Sequence, residues 1–172
     1  MQFTRSMNHS PSAITLLTEQ HDEVDELFEK IEGAKDRTAK KALFKVLADN
    51  LAAHVKIEES QFYPAVLAAK TEDMLLEATE EHLAIKRVLA DLLELEPDDE
   101  HFDAKLEVMK EQIAHHAHEE EEKTLFPLVE RMMSKEELAG LGAEMLREFE
   151  ELMESDPRCD IPGETARAAT LL

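Results

Sequence analysis

Apolar residues return along this chain at steps of three and four, the spacing that gathers side chains on one face of a helix. The first such segment opens at Ser10 and Pro11, follows Ile14, Leu17, His21, Val24, Phe28 and Ile31, and stops at Gly33. The second, about 37 to 69, carries Phe44, Leu47, Leu51, His54, Glu58, Phe62 and Ala65, with Pro64 expected to bend its last turns. A third, about 72 to 95, runs through Leu75, Ala78, His82, Ile85, Leu89 and Leu92 and ends before Pro97, Asp98 and Asp99. The fourth, about 100 to 133, follows Leu106, Met109, Ile113 and His116, then resumes after a step of five at Glu121, Leu125, Leu128 and Met132. Ser134 and Glu137 form a capping-box signal for a fifth helix through Leu138, Leu141, Met145, Phe149 and Leu152.

No strand pattern interrupts these segments, so the predicted fold class is all-α. Four long helices of roughly 35 to 50 Å, joined by short links, make an up-down-up-down four-helix bundle. We assign the bundle to residues 11–133 and an appended helix to 134–154. Residues 155–172, SDPRCDIPGETARAATLL, hold two prolines, a glycine and small polar side chains, and are expected to form a loose, flexible tail.

Composition narrows the class of partner. A chain of 172 residues, 43% hydrophobic and with four glycines, is long enough for one compact domain with a real core. Nineteen Lys plus Arg against forty Asp plus Glu leave a net charge of −21, which repels nucleic-acid phosphates and anionic lipid and attracts cations. No run approaches the roughly 18 to 20 apolar residues of a membrane span, and the start MQFTRSMNHSP lacks the apolar core of a signal peptide. The single cysteine, Cys159, excludes an internal disulfide framework and suits a reducing compartment. A cytoplasmic protein with neither nucleic-acid nor membrane partners is expected.

The polar residues on the apolar seams carry the chemistry. His21, His54, His82 and His116 each stand near the middle of a long helix, and Glu58 and Glu121 follow two of them by about one turn. One such histidine alone is ordinarily a hydrogen-bonded core residue. Four of them with two carboxylates must be compensated by pairing, protonation or a metal, because an unpaired buried carboxylate costs several kcal/mol. Imidazoles and carboxylates together suit iron, manganese or zinc, and carboxylates can bridge two cations. In His54-x-x-x-Glu58 the two side chains lie within about 40° on one helical face.

A second copy of that pattern contains one extra residue. HVKIEESQFYP, residues 54–64, and HHAHEEEEKTLFP, residues 115–127, both end in two bulky residues and a proline. Six residues before each proline stand Glu58 and Glu121. Ten before stand His54 and Ala117, so in the second copy the inward histidine is His116, eleven before the proline. A step of five rotates a regular helix by about 140°, so His116 and Glu121 converge only if the helix widens locally into π-type geometry. In a regular helix His116 would face Glu120 instead. Glu121 is favoured and Glu120 stays open.

With His21, His54-x-x-x-Glu58-Glu59, His82, and His116-x-x-x-x-Glu121 followed by Leu125-Phe126-Pro127, the sequence resembles the hemerythrin-like HHE cation-binding domains over about residues 12 to 132. The resemblance implies a four-helix bundle holding two non-haem irons on His21, His54, Glu58, His82, His116 and Glu121, with both carboxylates bridging. Manganese or zinc are the alternative metals. It also implies a small-molecule partner such as oxygen, peroxide or nitric oxide, in stress response or iron handling. Hemerythrins proper carry a second histidine one turn after the third-helix ligand, and here that place is Lys86. A less saturated centre fits redox reactivity better than reversible oxygen carriage.

A metal-stabilised binding or regulatory module without catalysis is the alternative reading, with the fifth helix and tail as its contact surface. A ferritin-like bundle would show Glu-x-x-His, and none of the eight histidines has a glutamate three residues before it. Of the remaining polar residues, His115, His118, Glu59, Glu119 and Glu122 are expected to be solvated, although one of the two histidines could stand behind the ligands. His9 and His101 fall at helix ends, and Tyr63 and Phe126 read as core. Lys86 is expected to snorkel to water rather than offer a proton near the site.

Overall fold

The computed structural model describes residues 10–171, and every regular element among them is helical. Helix α1 spans Ala13–Gly33 and α2 Arg37–Ile57; α2 runs on through a π-helical turn, Glu58–Phe62, and a last α-turn, Tyr63–Val66. Helix α3 spans Glu72–Leu93. Helix α4 spans Phe102–Ala114 and continues through a π-helical stretch, His115–Leu125, into Phe126–Met132. Helix α5, Lys135–Met153, is followed by a 3₁₀ helix, Pro157–Glu164. The first four long helices form the up-down-up-down bundle, and α5 packs back against α1 and α2.

The helix starts follow local chemistry. Ser12, rather than Ser10, caps α1 by accepting the Thr15 amide, and Asp36 caps α2 by accepting that of Ala39. Ser134 and Glu137 complete the expected capping box on α5. His101 stands at the N-terminal end of α4, as its sequence position suggested, while His9 lies outside the described residues.

Two apolar clusters divide the bundle along its length. One contains Val24, Phe28, Ile31, Phe44, Leu47, Leu51, Ile85, Leu89, Phe102, Met109 and Ile113. The other contains Leu17, Ile57, Phe62, Tyr63, Leu75, Leu125, Phe126, Val129, Leu138 and Met145. The polar residues of the seams sit between them, a hydrophilic layer sealed above and below by hydrocarbon.

Both π segments move the seam by one position. Ala65, expected inward, is exposed, and Val66 is buried in its place. Likewise Leu128 is only half-buried and Met132 is exposed, while Val129 is fully buried. The cause is common to the two helices. The amide before each proline bonds five residues back, Tyr63 to the Glu58 carbonyl and Phe126 to that of Glu121. Pro64 and Pro127 have no N–H to donate, and their rings clash with the carbonyl four residues earlier, so a wider turn accommodates them.

The C-terminal segment differs from its expectation. Residues 157–164 form a 3₁₀ helix that packs on α2 and α3, with Pro157 and Ile161 buried and Arg158 paired to Asp49 at 2.6 Å, where a loose tail was predicted. Ile161 belongs to the first apolar cluster, so this short helix contributes to the core that its polar composition concealed.

At Gly142 the close approach of α5 to the start of α1 leaves no room for a side chain. A Cβ there would lie 2.2 Å from the Pro11 carbonyl oxygen and 2.6 Å from the Ala13 nitrogen, whereas one at Gly140 would meet nothing within 4 Å. Gly142→Ala is expected to destabilise the fold by about 1 to 3 kcal/mol through overpacking. Gly140→Ala is expected to stabilise it by about 0.5 to 1 kcal/mol, since alanine suits a helix interior better than glycine. Denaturant unfolding of the two variants beside the parent tests the opposite signs.

Candidate metal centre

Six side chains from four helices meet in the polar layer. His21, His54, Glu58 and Glu121 each direct one donor atom to a common space in which these atoms lie within 4.8 Å of one another. Glu58, His82 and His116 form a second such group. Glu58 belongs to both: its Oε2 is 3.3 Å from His54 Nε2 and 3.2 Å from His82 Nε2. Glu121 spans the same gap, with Oε2 3.3 Å from His21 Nε2 and Oε1 3.7 Å from His116 Nε2. All six are buried; Glu58 has no exposed surface and Glu121 1%.

The widened stretch of α4 decides which glutamate faces inward. Across His115–Leu125 the π-helical winding absorbs the extra residue, so His116 and Glu121 point to the same space. Glu120 faces outward to His115, 3.5 Å away, and both are substantially exposed.

Tyr63 joins the second group. Its hydroxyl donates to Glu121 Oε1 at 2.9 Å and lies 3.2 Å from His82 Nε2 and 3.4 Å from His116 Nε2. The ring also stacks on His82, centroids 5.4 Å apart. The sequence marks Tyr63 as core, and it is fully buried; its hydroxyl is what adds it to the site. The signal available was position: Tyr63 is the residue before Pro64, one turn and one π-residue past Glu58.

Behind the inner residues runs a closed ring of hydrogen bonds. His54 Nδ1 donates to Gln20 Oε1 at 2.8 Å, and His82 Nδ1 to Glu59 Oε1 at 3.1 Å. His116 Nδ1 donates to Glu81 Oε2 at 2.7 Å, and His21 Nδ1 to Glu122 Oε1 at 2.7 Å. Each holder is the sequence neighbour of an inner residue, on the preceding helix for Gln20, Glu59 and Glu81 and on α4 for Glu122, which closes the cycle back to α1. Holding Nδ1 fixes each ring and leaves Nε2 turned inward. Glu59 and Glu122, expected in solvent, are therefore structural partners of the site. His118 stands behind Glu122, 3.2 Å from its Oε1, and is also paired to Asp25. His115 and Glu119 are exposed as expected.

Lys86 does not snorkel. It is 5% exposed, and its Nζ lies 2.8 Å from Glu59 Oε2 and 2.9 Å from Glu164 Oε2. With two carboxylates at hand the ammonium satisfies itself inside the protein, and burial is outweighed by those hydrogen bonds, so its pKa is raised.

The centre holds donors that the protein itself does not satisfy. Among the described residues, seven buried side-chain nitrogen or oxygen atoms lack a hydrogen-bond partner, and four belong here: His21 Nε2, both oxygens of Glu58 and Glu121 Oε2. Lone pairs at 3.2 to 3.3 Å that fail to align as hydrogen bonds are arranged for a cation placed between them. A donor set of imidazole nitrogens, carboxylates and a phenol, without cysteine, suits iron, manganese or zinc.

The protonation pattern shows how the protein copes when only protons are at hand. Burial would lower the pKa of His21, yet the close carboxylates of Glu121 and Glu122, with the charge of Glu58, raise it to about 10. Burial likewise opposes and Glu58 and Glu59 outweigh it at His82, raised to about 9. Glu58 is held well below the carboxylate range: burial pushes it up, but His54 and His82 prevail.

Beside the four imidazoles lies a cavity of about 20 Å³, its other walls formed by Val24, Leu51, Val55, Ile85, Ile113 and Ala117. All four histidines thus border an apolar space of roughly one small molecule.

No curated protein matches the chain. A solved structure of a hemerythrin HHE cation binding domain-containing protein from Mycobacterium kansasii is similar at 27% identity and a TM-score of 0.75, covering 94% of this chain and 98% of that one. Residues 12–129 match the sequence pattern of the hemerythrin HHE cation binding domain, and the stretch includes all six inward histidines and glutamates. The chain belongs to the hemerythrin HHE cation-binding domain family.

Proposed function

We propose that this protein is a non-haem diiron protein that binds or reacts with a small oxidant or diatomic molecule: oxygen, peroxide or nitric oxide. The observation that carries the reading is the pair of donor groups sharing Glu58, with Glu121 reaching both and four buried donor atoms left unpartnered. One ion would be held by His21 and His54 and the other by His82 and His116, with Glu58 and Glu121 bridging. Tyr63 adds a phenolic oxygen on the His82–His116 side. Iron at this position would supply electrons to a bound oxidant.

The chain's own residues supply the surroundings. The ring of Gln20, Glu59, Glu81 and Glu122 holds the imidazoles rigid, so little reorganisation accompanies binding. The apolar walls around the small cavity exclude water and favour a small uncharged guest. The Tyr63 hydroxyl, now donating to Glu121, is a proton donor at the centre; burial and the charge of Glu121 keep it protonated well above the usual phenol range.

About two iron atoms per chain are expected after expression in iron-replete medium, with near-ultraviolet absorption of a coupled ferric pair that disappears on reduction. Elemental analysis returning one zinc and no iron would sink the assignment. His54→Ala or Glu58→Ala is expected to lower both metal content and Tm, because each leaves neighbouring buried groups unpaired. His101→Ala, altering an exposed side chain, is expected to change neither.

Glu121→Ala is expected to strip metal while Glu120→Ala leaves it bound, with the ferric spectrum as the readout. Loss in the Glu120 variant alone would transfer the bridging role to a residue that faces His115 and solvent.

Stability of the chelator-treated protein should depend on pH through His21 and His82. Their folded pKa values lie above the ordinary 6.5, so the stabilisation they give is full below about 6.5 and is lost as pH rises through about 9 and about 10. The Tm of the metal-free protein is therefore expected to fall between pH 7 and pH ~10, and metal binding at pH 7 to release about two protons. Thermal unfolding across that range, and calorimetry in buffers of different ionisation enthalpy, measure the two effects.

A further inference from the structure

We propose that the C-terminal 3₁₀ helix is part of the metal centre's support, with Glu164 acting as a positioning residue that fixes His82 through Lys86 and Glu59. This inference rests on the two-ion reading above and concerns the ion on the His82–His116 side.

The contacts form one continuous line. Glu164 Oε2 lies 2.9 Å from Lys86 Nζ, Lys86 Nζ 2.8 Å from Glu59 Oε2, and Glu59 Oε1 3.1 Å from His82 Nδ1. His82 Nε2 then faces Glu58 Oε2 at 3.2 Å. The line is buried until its outer end: side-chain exposure is 0% at His82, 9% at Glu59, 6% at Lys86 and 30% at Glu164. The other three histidines of the ring are held by Gln20, Glu81 and Glu122, with no contact to the tail in their hydrogen bonds. His82 is the one whose holder is tied, through Lys86, to the C-terminal 3₁₀ helix.

The tail is built to keep Glu164 in place. Ile161 is buried in the first apolar cluster, and Pro157, at the start of the same short helix, is buried too. Arg158 Nη1 reaches both carboxylate oxygens of Asp49, at 2.8 and 2.6 Å, and its backbone amide donates to the same side chain. Arg87 Nε donates to the Thr165 carbonyl at 3.0 Å, tying the residue after Glu164 to α3.

Lys86 has somewhere else to go, which is why its second partner matters. A cavity of about 750 Å³ opens beside it, lined among others by Lys56, Glu59, Ser60, Glu164 and Arg167. An ammonium with a single buried carboxylate partner is better solvated in such a space than inside the protein. Glu164 opposes that escape by completing a carboxylate pair around Nζ. If Lys86 swings outward, Glu59 loses the cation that orients its carboxylate, and the His82 ring loses its anchor.

The test uses the full-length chain, stripped of metal and titrated anaerobically with cobalt(II), whose absorption reports each ion as it binds, with a competing chelator to give both affinities. His82→Ala serves as the reference for losing the second ion. Glu164→Gln, nearly isosteric but uncharged, is expected to leave the first affinity as in the parent and to weaken the second about tenfold, as loss of an outer partner of a metal ligand commonly does. Glu164→Asp, which keeps the charge, is expected to recover most of that loss. A parent protein that takes up only one ion strikes at the two-ion reading itself, before any variant is compared. With two ions in the parent, equal second affinities in parent and Glu164→Gln overturn the positioning role. Equal weakening of both ions overturns it too, because a tail acting only on general stability cannot single out one of them.

Discussion

Two carboxylates with no path to water govern this structure. Glu58 lies at the centre of the bundle with neither oxygen accepting a hydrogen bond, and Glu121 faces it from α4 with one oxygen in the same state. Anions in such a position persist only if cations meet them, and burial of this kind costs several kcal/mol when unmet. Every nearby feature answers that demand: four imidazoles aimed at the carboxylates, two of them with strongly raised pKa values, and beyond them oxygen atoms that hold the imidazoles in turn. Protons meet part of the requirement. Metal ions would meet it more completely, since each addresses several lone pairs at once.

The apolar clusters above and below make that demand sharper. Phe28, Leu47 and Met109 at one end and Phe62, Leu75 and Phe126 at the other close the polar layer off, so charge inside it is poorly screened. The −21 net charge of the chain adds an attraction for cations over the whole surface, but selection among them is left to the donor set.

Much of this was legible in the sequence because helical periodicity is strict wherever a seam faces a core. His21, His54, His82 and Glu58 were readable as inward from steps of three and four, and counting back from Pro127 picked Glu121 over Glu120 although the two are adjacent and identical in type. Where the winding changes, periodicity misleads, as it did at Ala65, Leu128 and Met132, each just beyond a π segment. The outer ring was invisible for a different reason. Glu59, Glu81 and Glu122 sit among other glutamates, and nothing local separates one that meets a histidine of the next helix from one that meets water. Lys86 and the tail were misread together: a lysine on an apolar face ordinarily snorkels, and PRCDIPGE reads as a loop, unless it is known that Glu164 comes to Lys86.

The ring of holders has a direction. Helix α1 supports α2, α2 supports α3, α3 supports α4, and α4 returns to α1 through Glu122 and His21, which stand 101 residues apart in the chain. A ribosome delivers these parts in order, so three of the four links can form before the last, and His21 must wait for Glu122 in α4. Until then the half-built layer presents His54, Glu58 and His82 without the opposing carboxylate of Glu121. The order of synthesis therefore makes completion of the cage, and with it retention of metal, one of the last events in the life of the nascent chain.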